Sequence, residues 1–145
     1  MAATISQPTI TADAAHAAVG AAIQHGNKAI GAPVVASVVD SSGVQVAMLR
    51  ATGAPFHSTG IALDKAMTAA SFKVPSEAMF GFIAGNPSLV AGIPSRPGVA
   101  MFGGGLPIVI DGAVVGAIGV SGGSEAQDIE CAKAGLAVIM TMSGK

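Results

Sequence analysis

The hydrophobic pattern at the start of the chain predicts an amphipathic helix. Apolar residues recur at helical spacing at Ala15, Val19, Ala22, Ile23 and Ile30. Thr11 is a suitable N-cap before this pattern, and Gly31 with Pro33 ends it. Gly26 lowers the helix propensity, so we expect a break near His25. Residues 1–10, which precede the helix, are expected to form a flexible arm.

The pattern then changes to strands and back to helices. Two β-branched, apolar runs, 34–40 and 44–50, flank a Ser-Ser-Gly turn and predict a hairpin. A helix capped by Ser58 or Thr59 is expected to reach about Phe72, and Pro75 begins a shorter helix that ends near Phe82. Residues 86–98 are rich in Gly, Pro and Ser, which predicts a long surface loop.

The last third of the chain has the clearest strand pattern. Three strands are expected, at 99–102, 107–110 and 113–121. Asp111-Gly112 between the last two is a strong hairpin signal. Ser124 and Gln127 have the spacing of a capping box that begins the final helix. We therefore predict one α/β domain over residues 11–145, with an antiparallel sheet and helices packed on it.

The composition restricts the classes of function. Hydrophobic residues make up 51% of the chain and charged residues only 10%. So few charges cannot cover the surface of a monomer, and we expect a homo-oligomer. The formal net charge of −1 argues against nucleic-acid binding. No apolar run is long enough for a membrane span, and Met1–Ile10 lacks the features of a signal peptide. Cys131 is the single cysteine, which fits a reducing compartment. Together these features predict a cytoplasmic protein.

Two segments carry a resemblance to a known family. The first is Ile61-Ala-Leu-Asp-Lys-Ala-Met-Thr-Ala-Ala70, continuing to Val74-Pro75-Ser76. The second runs from Gly103-Gly-Gly-Leu-Pro107 through Asp111-Gly112 to Ser121-Gly-Gly123. Both resemble the GlcG/HbpS-like family, which also supplies the C-terminal domain of PduO-type proteins. The resemblance implies a profilin-like, five-stranded antiparallel sheet flanked by helices, assembly into oligomers, and heme binding in several members.

The candidate site residues follow from these segments and from the histidines. His16 falls in the same helical sector as Val19 and Ile23, so it is either an axial heme ligand, and thus a metal ligand, or a hydrogen-bonded core histidine. A cleft between the first two helices and the Gly-rich strands is expected to hold the tetrapyrrole. Its expected contacts are His16, Lys65, Gly104, Gly105, Pro107 and Ser121.

Two further interpretations remain open at this stage. The same cleft suits an enzyme acting on a small carbonyl or carboxylate metabolite, with Lys65 and His57 as the candidate catalytic residues. A structural partner subunit without a ligand is the third possibility. The strand glycines Gly116 and Gly119 form either a floor for a flat ligand or a surface for close packing.

Overall fold

The computed structural model describes residues 1–144. Its elements, in chain order, are α1 (Ala12–His25), β1 (Val35–Asp40), β2 (Gln45–Arg50), α2 (His57–Phe72), α3 (Ala78–Ile83), α4 (Pro87–Gly92), β3 (Gly105–Ile110), β4 (Ala113–Ser121) and α5 (Glu125–Met142). A π-helical turn, Gly26–Ile30, continues from α1, so the predicted break at His25 is confirmed. Gly31 ends this turn with a φ of 75°, a conformation that glycine adopts at little cost.

The four strands form one antiparallel sheet with the order β2-β1-β4-β3. Helix α2 packs on one face of the sheet, against β1, β4 and β3, while α1 and α5 pack together on the other face. The predicted α/β class and antiparallel pairing are confirmed. The core is made of Ala, Val, Ile and Leu side chains from the sheet and these helices, together with Met79 and Cys131, and contains no aromatic ring among the described residues.

The prediction of a fifth strand at 99–102 was wrong within residues 1–144. The backbone there bonds to side chains instead of to a neighbouring strand, since Ala100 N–H donates to Thr68 Oγ1 (2.9 Å) and Phe102 C=O accepts from Ser76 Oγ (2.6 Å). The predicted loop at 86–98 also contains a helix, α4, with Asn86 as its N-cap. The predicted capping box of α5 at Ser124 and Gln127 is confirmed.

The end of the N-terminal arm is attached to the domain. Ile10 is buried, and its N–H donates to the Val115 carbonyl at 3.0 Å. Thr9 Oγ1 accepts from Ser41 N–H at 3.0 Å and so links the arm to the β1–β2 turn. Thr9 is still exposed, whereas Ile10 belongs to the core.

Candidate functional site

A buried ion pair joins α2 to the beginning of α5. Lys65 is 1% exposed, and its Nζ donates to Asp128 Oδ2 at 3.0 Å and to the Val120 carbonyl at 2.9 Å. The ring centroid of Phe102 lies 4.9 Å from the same Nζ, a distance suited to a cation–π contact. Lys65 was expected to contact a ligand in the cleft; in the described structure its ammonium is buried and already paired. We call Lys65, Asp128, Phe102 and Ser76 the Lys65 junction.

The glycines predicted to contact a ligand instead allow close packing around the Lys65 junction. A Cβ at Gly104, whose φ is 130°, would lie 2.8 Å from Lys65 Nζ and 2.4 Å from the Val120 carbonyl oxygen. A Cβ at Gly105 would lie 2.3 Å from the Lys65 carbonyl oxygen. Side chains at these two positions are excluded because the space is already filled by α2 and β4. The floor for a flat ligand was the expectation for Gly116 and Gly119, where an added Cβ would lie 2.3 Å from the Val39 carbonyl oxygen and 2.0 Å from the Ala62 carbonyl oxygen, so both glycines allow close packing instead.

The chain from Gly98 to Gly104, here called the strap, is held over the junction by hydrogen bonds. Thr68 Oγ1 lies 3.3 Å from the Gly98 carbonyl, Ser76 bonds Phe102, and Glu125 Oε2 accepts from Gly103 N–H at 2.6 Å. Phe102 itself is 48% exposed, so its ring contacts Lys65 Nζ while part of the side chain stays open to solvent. The strap thus seals the buried cation from water.

Burial sets the electrostatics of this region. Desolvation raises the pKa of Asp128 above its ordinary value, although hydrogen bonds from the Gly123 backbone and the charge of Lys65 act in the opposite direction. No buried side-chain nitrogen or oxygen lacks a hydrogen-bond partner in the described part of the chain. Lys65 is already engaged by an anion, a carbonyl and an aromatic face. This arrangement suits a structural connection and leaves no free amine for proton transfer to a substrate.

Ser121 and Pro107 lie near the junction without forming a cleft. Ser121 is buried at the end of β4 and donates to Ser58 Oγ of α2 at 3.2 Å. Pro107 pairs with Ala117 in the β3–β4 register and is half-buried. The structure therefore brings Lys65, Gly104, Gly105 and Ser121 together, as the sequence predicted, but packs them into the interior.

The two candidate histidines lie elsewhere and are exposed. The buried face of α1 is centred on its alanines, Ala15, Ala18 and Ala22, and His16 lies about 120° around the helix from that centre. The interpretation of His16 as a core residue was wrong for this reason. His57 is the first residue of α2, and its ring stacks on Phe56 with the centroids 4.5 Å apart.

Open clefts in the described structure include two that are lined by no predicted site residue. The larger, of 340 Å³, lies between the end of the arm, the β3–β4 hairpin and the end of α5, and includes Ile10, Val115 and Ile139. The other, of 320 Å³, lies between the β1–β2 turn and Met67 of α2. Residues 1–144 contain no group of three or more His, Cys, Asp or Glu side chains suited to a metal ion. No described helix meets the length and hydropathy needed to cross a membrane.

The sequence analysis missed the exposure of the aromatic residues. All five phenylalanines of the chain are at least 40% exposed; they are Phe56, Phe72, Phe80, Phe82 and Phe102. The positions of these phenylalanines along the chain gave no periodic signal, and only the folded arrangement shows that none enters the core.

Comparison with known proteins identifies the family. A family described as haem degrading protein HbpS-like matches residues 10–137. The chain belongs to the HbpS-like family. This HbpS-like chain is 38% identical over 100 residues to an uncharacterized 15.0 kDa protein from the dhaT-dhaS intergenic region of Citrobacter freundii, covering 68% of this chain and 70% of the relative.

Two solved structures extend the comparison. A variant of HbpS from Streptomyces reticuli is 33% identical to this HbpS-like chain, with a TM-score of 0.84 over 93% of this chain and 90% of HbpS. The PduOC heme complex is 29% identical, with a TM-score of 0.81 over 90% of this chain and 94% of PduOC. The family suggested by the 61–76 and 103–123 segments is thereby confirmed.

Proposed function

We propose that this chain binds heme or a related tetrapyrrole. The observation that carries the proposal is the similarity in fold and sequence to PduOC, a relative described in complex with heme, over 90% of this chain. The name of the matching family, haem degrading protein, refers to the same group. Bound heme would supply iron that exchanges electrons and small ligands, chemistry that no side chain of the protein provides.

The residues that fit heme are the exposed histidines and not the Lys65 junction. Iron ligation by histidine requires an imidazole that a planar group can approach, and His16 and His57 both present exposed side chains. We propose His16 as the axial ligand. His57, which stacks on the exposed Phe56, is the next candidate, and that pair offers a flat apolar surface beside an imidazole.

Lys65 is not assigned to a heme propionate or to catalysis. Its ammonium is buried in a pair with Asp128, and a ligand anion would have to displace that carboxylate and the Phe102 ring. The alternative of a metabolite enzyme that uses Lys65 and His57 is not favoured by the burial of Lys65, whose ammonium is already paired with Asp128. We also propose a homo-oligomeric, cytoplasmic protein, on the basis of the low charge content and the single, buried Cys131.

A hemin titration of the purified protein and three histidine variants tests the proposal. Wild type should give a Soret band that saturates with hemin, and His16→Ala should shift that band and weaken binding, because a ligating imidazole sets the ferric spectrum. His25→Ala is the matched control, since His25 bonds Glu130 at 2.5 Å on the α5 side of the same helix. An unchanged spectrum in His16→Ala with a changed one in His57→Ala would move the ligand to α2.

The same samples distinguish binding from degradation of heme. Ascorbate is added in air to the hemin-loaded protein, and the Soret band and iron release are followed. This experiment separates a stable heme complex from heme degradation. A stable band supports a binding module. Loss of the band with release of iron, beyond that of free hemin, would show that this chain also degrades the group.

A further inference from the structure

A β-bulge in the β3–β4 hairpin borders the cleft of 340 Å³ on the face of the sheet that carries α1 and α5. Ile108 of β3 pairs with Gly116 of β4. The next pair is Val109 with Val114, so Val115 has no partner residue in β3. A bulge of this kind re-aims the side chain of the extra residue and is often found beside functional sites. Val115 lines the cleft.

The end of the N-terminal arm forms a second wall of this cleft. Ile10 N–H donates to the Val115 carbonyl at 3.0 Å, and Thr9 Oγ1 lies 3.4 Å from the same oxygen. Thr9 Oγ1 also accepts from Ser41 N–H, so this part of the arm is fixed to the hairpin and to the β1–β2 turn. The space stays open because Ala14, where α1 borders the cleft, has a small side chain. The cleft is therefore built into the fold, as binding sites for small molecules usually are.

The size and the lining of the cleft indicate the class of molecule that fits it. Its 340 Å³ lies within the range of about 300–1,000 Å³ that is usual for small-molecule sites. Among the described residues that line it, none is charged, and aliphatic side chains such as Ile110, Ile139 and Met142 predominate. An ionic group would lose its water in this cleft without gaining a charged partner. The lining therefore favours a neutral, mainly aliphatic ligand.

Two hydroxyl groups at the cleft have hydrogen-bonding capacity that the described residues do not use. Thr11 Oγ1 accepts from Ala14 N–H at 3.2 Å, so its own hydrogen is available to a ligand oxygen. Ser143 Oγ donates to the Met140 carbonyl at 3.0 Å, so its lone pairs can accept from a ligand. An alcohol suits this pair best, because a hydroxyl group both donates and accepts whereas a carbonyl oxygen only accepts.

We propose that the cleft binds a medium-chain aliphatic alcohol. The alkyl chain packs against the aliphatic wall that includes Val115 and Ile139, and the hydroxyl group bonds Thr11 or Ser143 at the rim. This ligand is additional to the proposed heme. His16 does not line the cleft, so the two ligands do not compete for one site.

Isothermal titration calorimetry of the wild-type protein with n-octanol and with octanoate tests the class of ligand. The n-octanol titration should saturate at one molecule per chain, with a negative heat-capacity change because apolar surface is buried. Octanoate has the same chain length but carries a carboxylate at pH 7. It should bind at least about tenfold more weakly, because the cleft offers its charge no partner.

Substitutions in the lining test the location of the site. Met142→Lys places a charge at the rim of the cleft and should weaken n-octanol binding about tenfold or more. Met142 is 53% exposed at the end of α5, where a cation is favourable, so this variant should fold normally. Ala14→Leu fills the space between α1 and the hairpin and should weaken binding by a similar factor. Met48→Lys, at a 41% exposed position of β2, is the matched control and should leave the affinity unchanged. Circular dichroism verifies that each variant is folded.

Each outcome either supports this proposal or overturns it. Saturable n-octanol binding that Met142→Lys weakens and Met48→Lys does not supports the cleft as the site. Binding that Met142→Lys leaves unchanged overturns the location, and octanoate that binds as tightly as n-octanol overturns the neutral class. A folded wild-type protein that gives no saturable heat with n-octanol overturns the proposal as a whole. Hemin binding is measured separately on the same samples, so the failure of one ligand does not imply the failure of the other.

Discussion

Replacing Lys65 by Met isolates the contribution of the buried ion pair. The methionine side chain retains most of the apolar stem and fills the space beside Phe102, but it removes the ammonium group. Asp128, which is 3% exposed, then keeps its hydrogen bond from Gly123 N–H and loses its charge partner. The Val120 carbonyl also loses the donor that it has at 2.9 Å.

The geometry gives the size of the expected effect. Opposite charges 3.0 Å apart attract by about 5–6 kcal/mol at an effective dielectric constant of ~20. Much of this attraction is offset by the desolvation of both groups when the pair forms. Removing one partner of a buried pair usually costs about 3–5 kcal/mol, because the other charge stays buried without compensation. We expect Lys65→Met to lower the free energy of unfolding by about 3–5 kcal/mol.

Equilibrium urea denaturation at pH 7 measures this loss in a double-mutant cycle. The cycle contains wild type, Lys65→Met, Asp128→Asn and the double variant. The double variant should be more stable than the sum of the single losses predicts, by roughly 1–3 kcal/mol, since neither charge is then left unpaired. Lys133→Met, at an exposed position of α5, is the matched control and should change stability by less than about 0.5 kcal/mol.

Two results would refute the structural role of the junction. A loss below about 1 kcal/mol in Lys65→Met would mean that the charge is solvated in the folded protein. Fully additive losses in the cycle would mean that Lys65 and Asp128 do not interact. Hemin affinity measured on the same folded variants should be unchanged, and a large decrease would return Lys65 to the ligand site.

Three further predictions concern glycine packing, the thiol and pH. Gly119→Ala should destabilise the protein by about 1–3 kcal/mol in denaturation experiments, because its Cβ would lie 2.0 Å from the Ala62 carbonyl oxygen. Gly20→Ala is the control: a Cβ at this position of α1 meets no atom, so the substitution should stabilise the helix by about 0.5–1 kcal/mol. Burial raises the pKa of Cys131 to about 11, so a thiol reagent at pH 8 should label the unfolded chain and spare the native one. Desolvation raises the pKa of Asp128 relative to the unfolded chain, so the native state keeps the carboxyl proton to higher pH. The contribution of Asp128 to the free energy of unfolding should therefore fall as pH rises from 3.8 through the raised pKa. Asp128→Asn should remove this pH dependence.

Local patterns in the sequence were sufficient to predict most of the fold. Thr11, Asp111-Gly112 and the Ser124–Gln127 box are signals contained within a few residues, and the structure places a helix start or a turn at each. The strand at 99–102 failed because its backbone is bonded by Thr68 and Ser76, which lie more than 20 residues away. No local pattern contains that information.

The site was predicted less well, for a related reason. The sequence analysis placed Lys65, Gly104, Gly105 and Ser121 in an open cleft, whereas the structure buries them, because the depth of burial depends on how closely α2 approaches the sheet. His16 was placed on the apolar face because it projects into the same helical sector as Val19 and Ile23. The alanines of α1 define the buried face instead, since small side chains let α1 approach α5 and the sheet.

Stoichiometric binding of hemin by the wild-type protein tests the central claim most directly. Purified protein is titrated with hemin, and the Soret band is compared with that of free hemin and of the His16→Ala variant. The account predicts saturation near one hemin per chain, with a Soret band that shifts in His16→Ala. A titration in which the absorbance follows free hemin throughout, with no saturation, would contradict it.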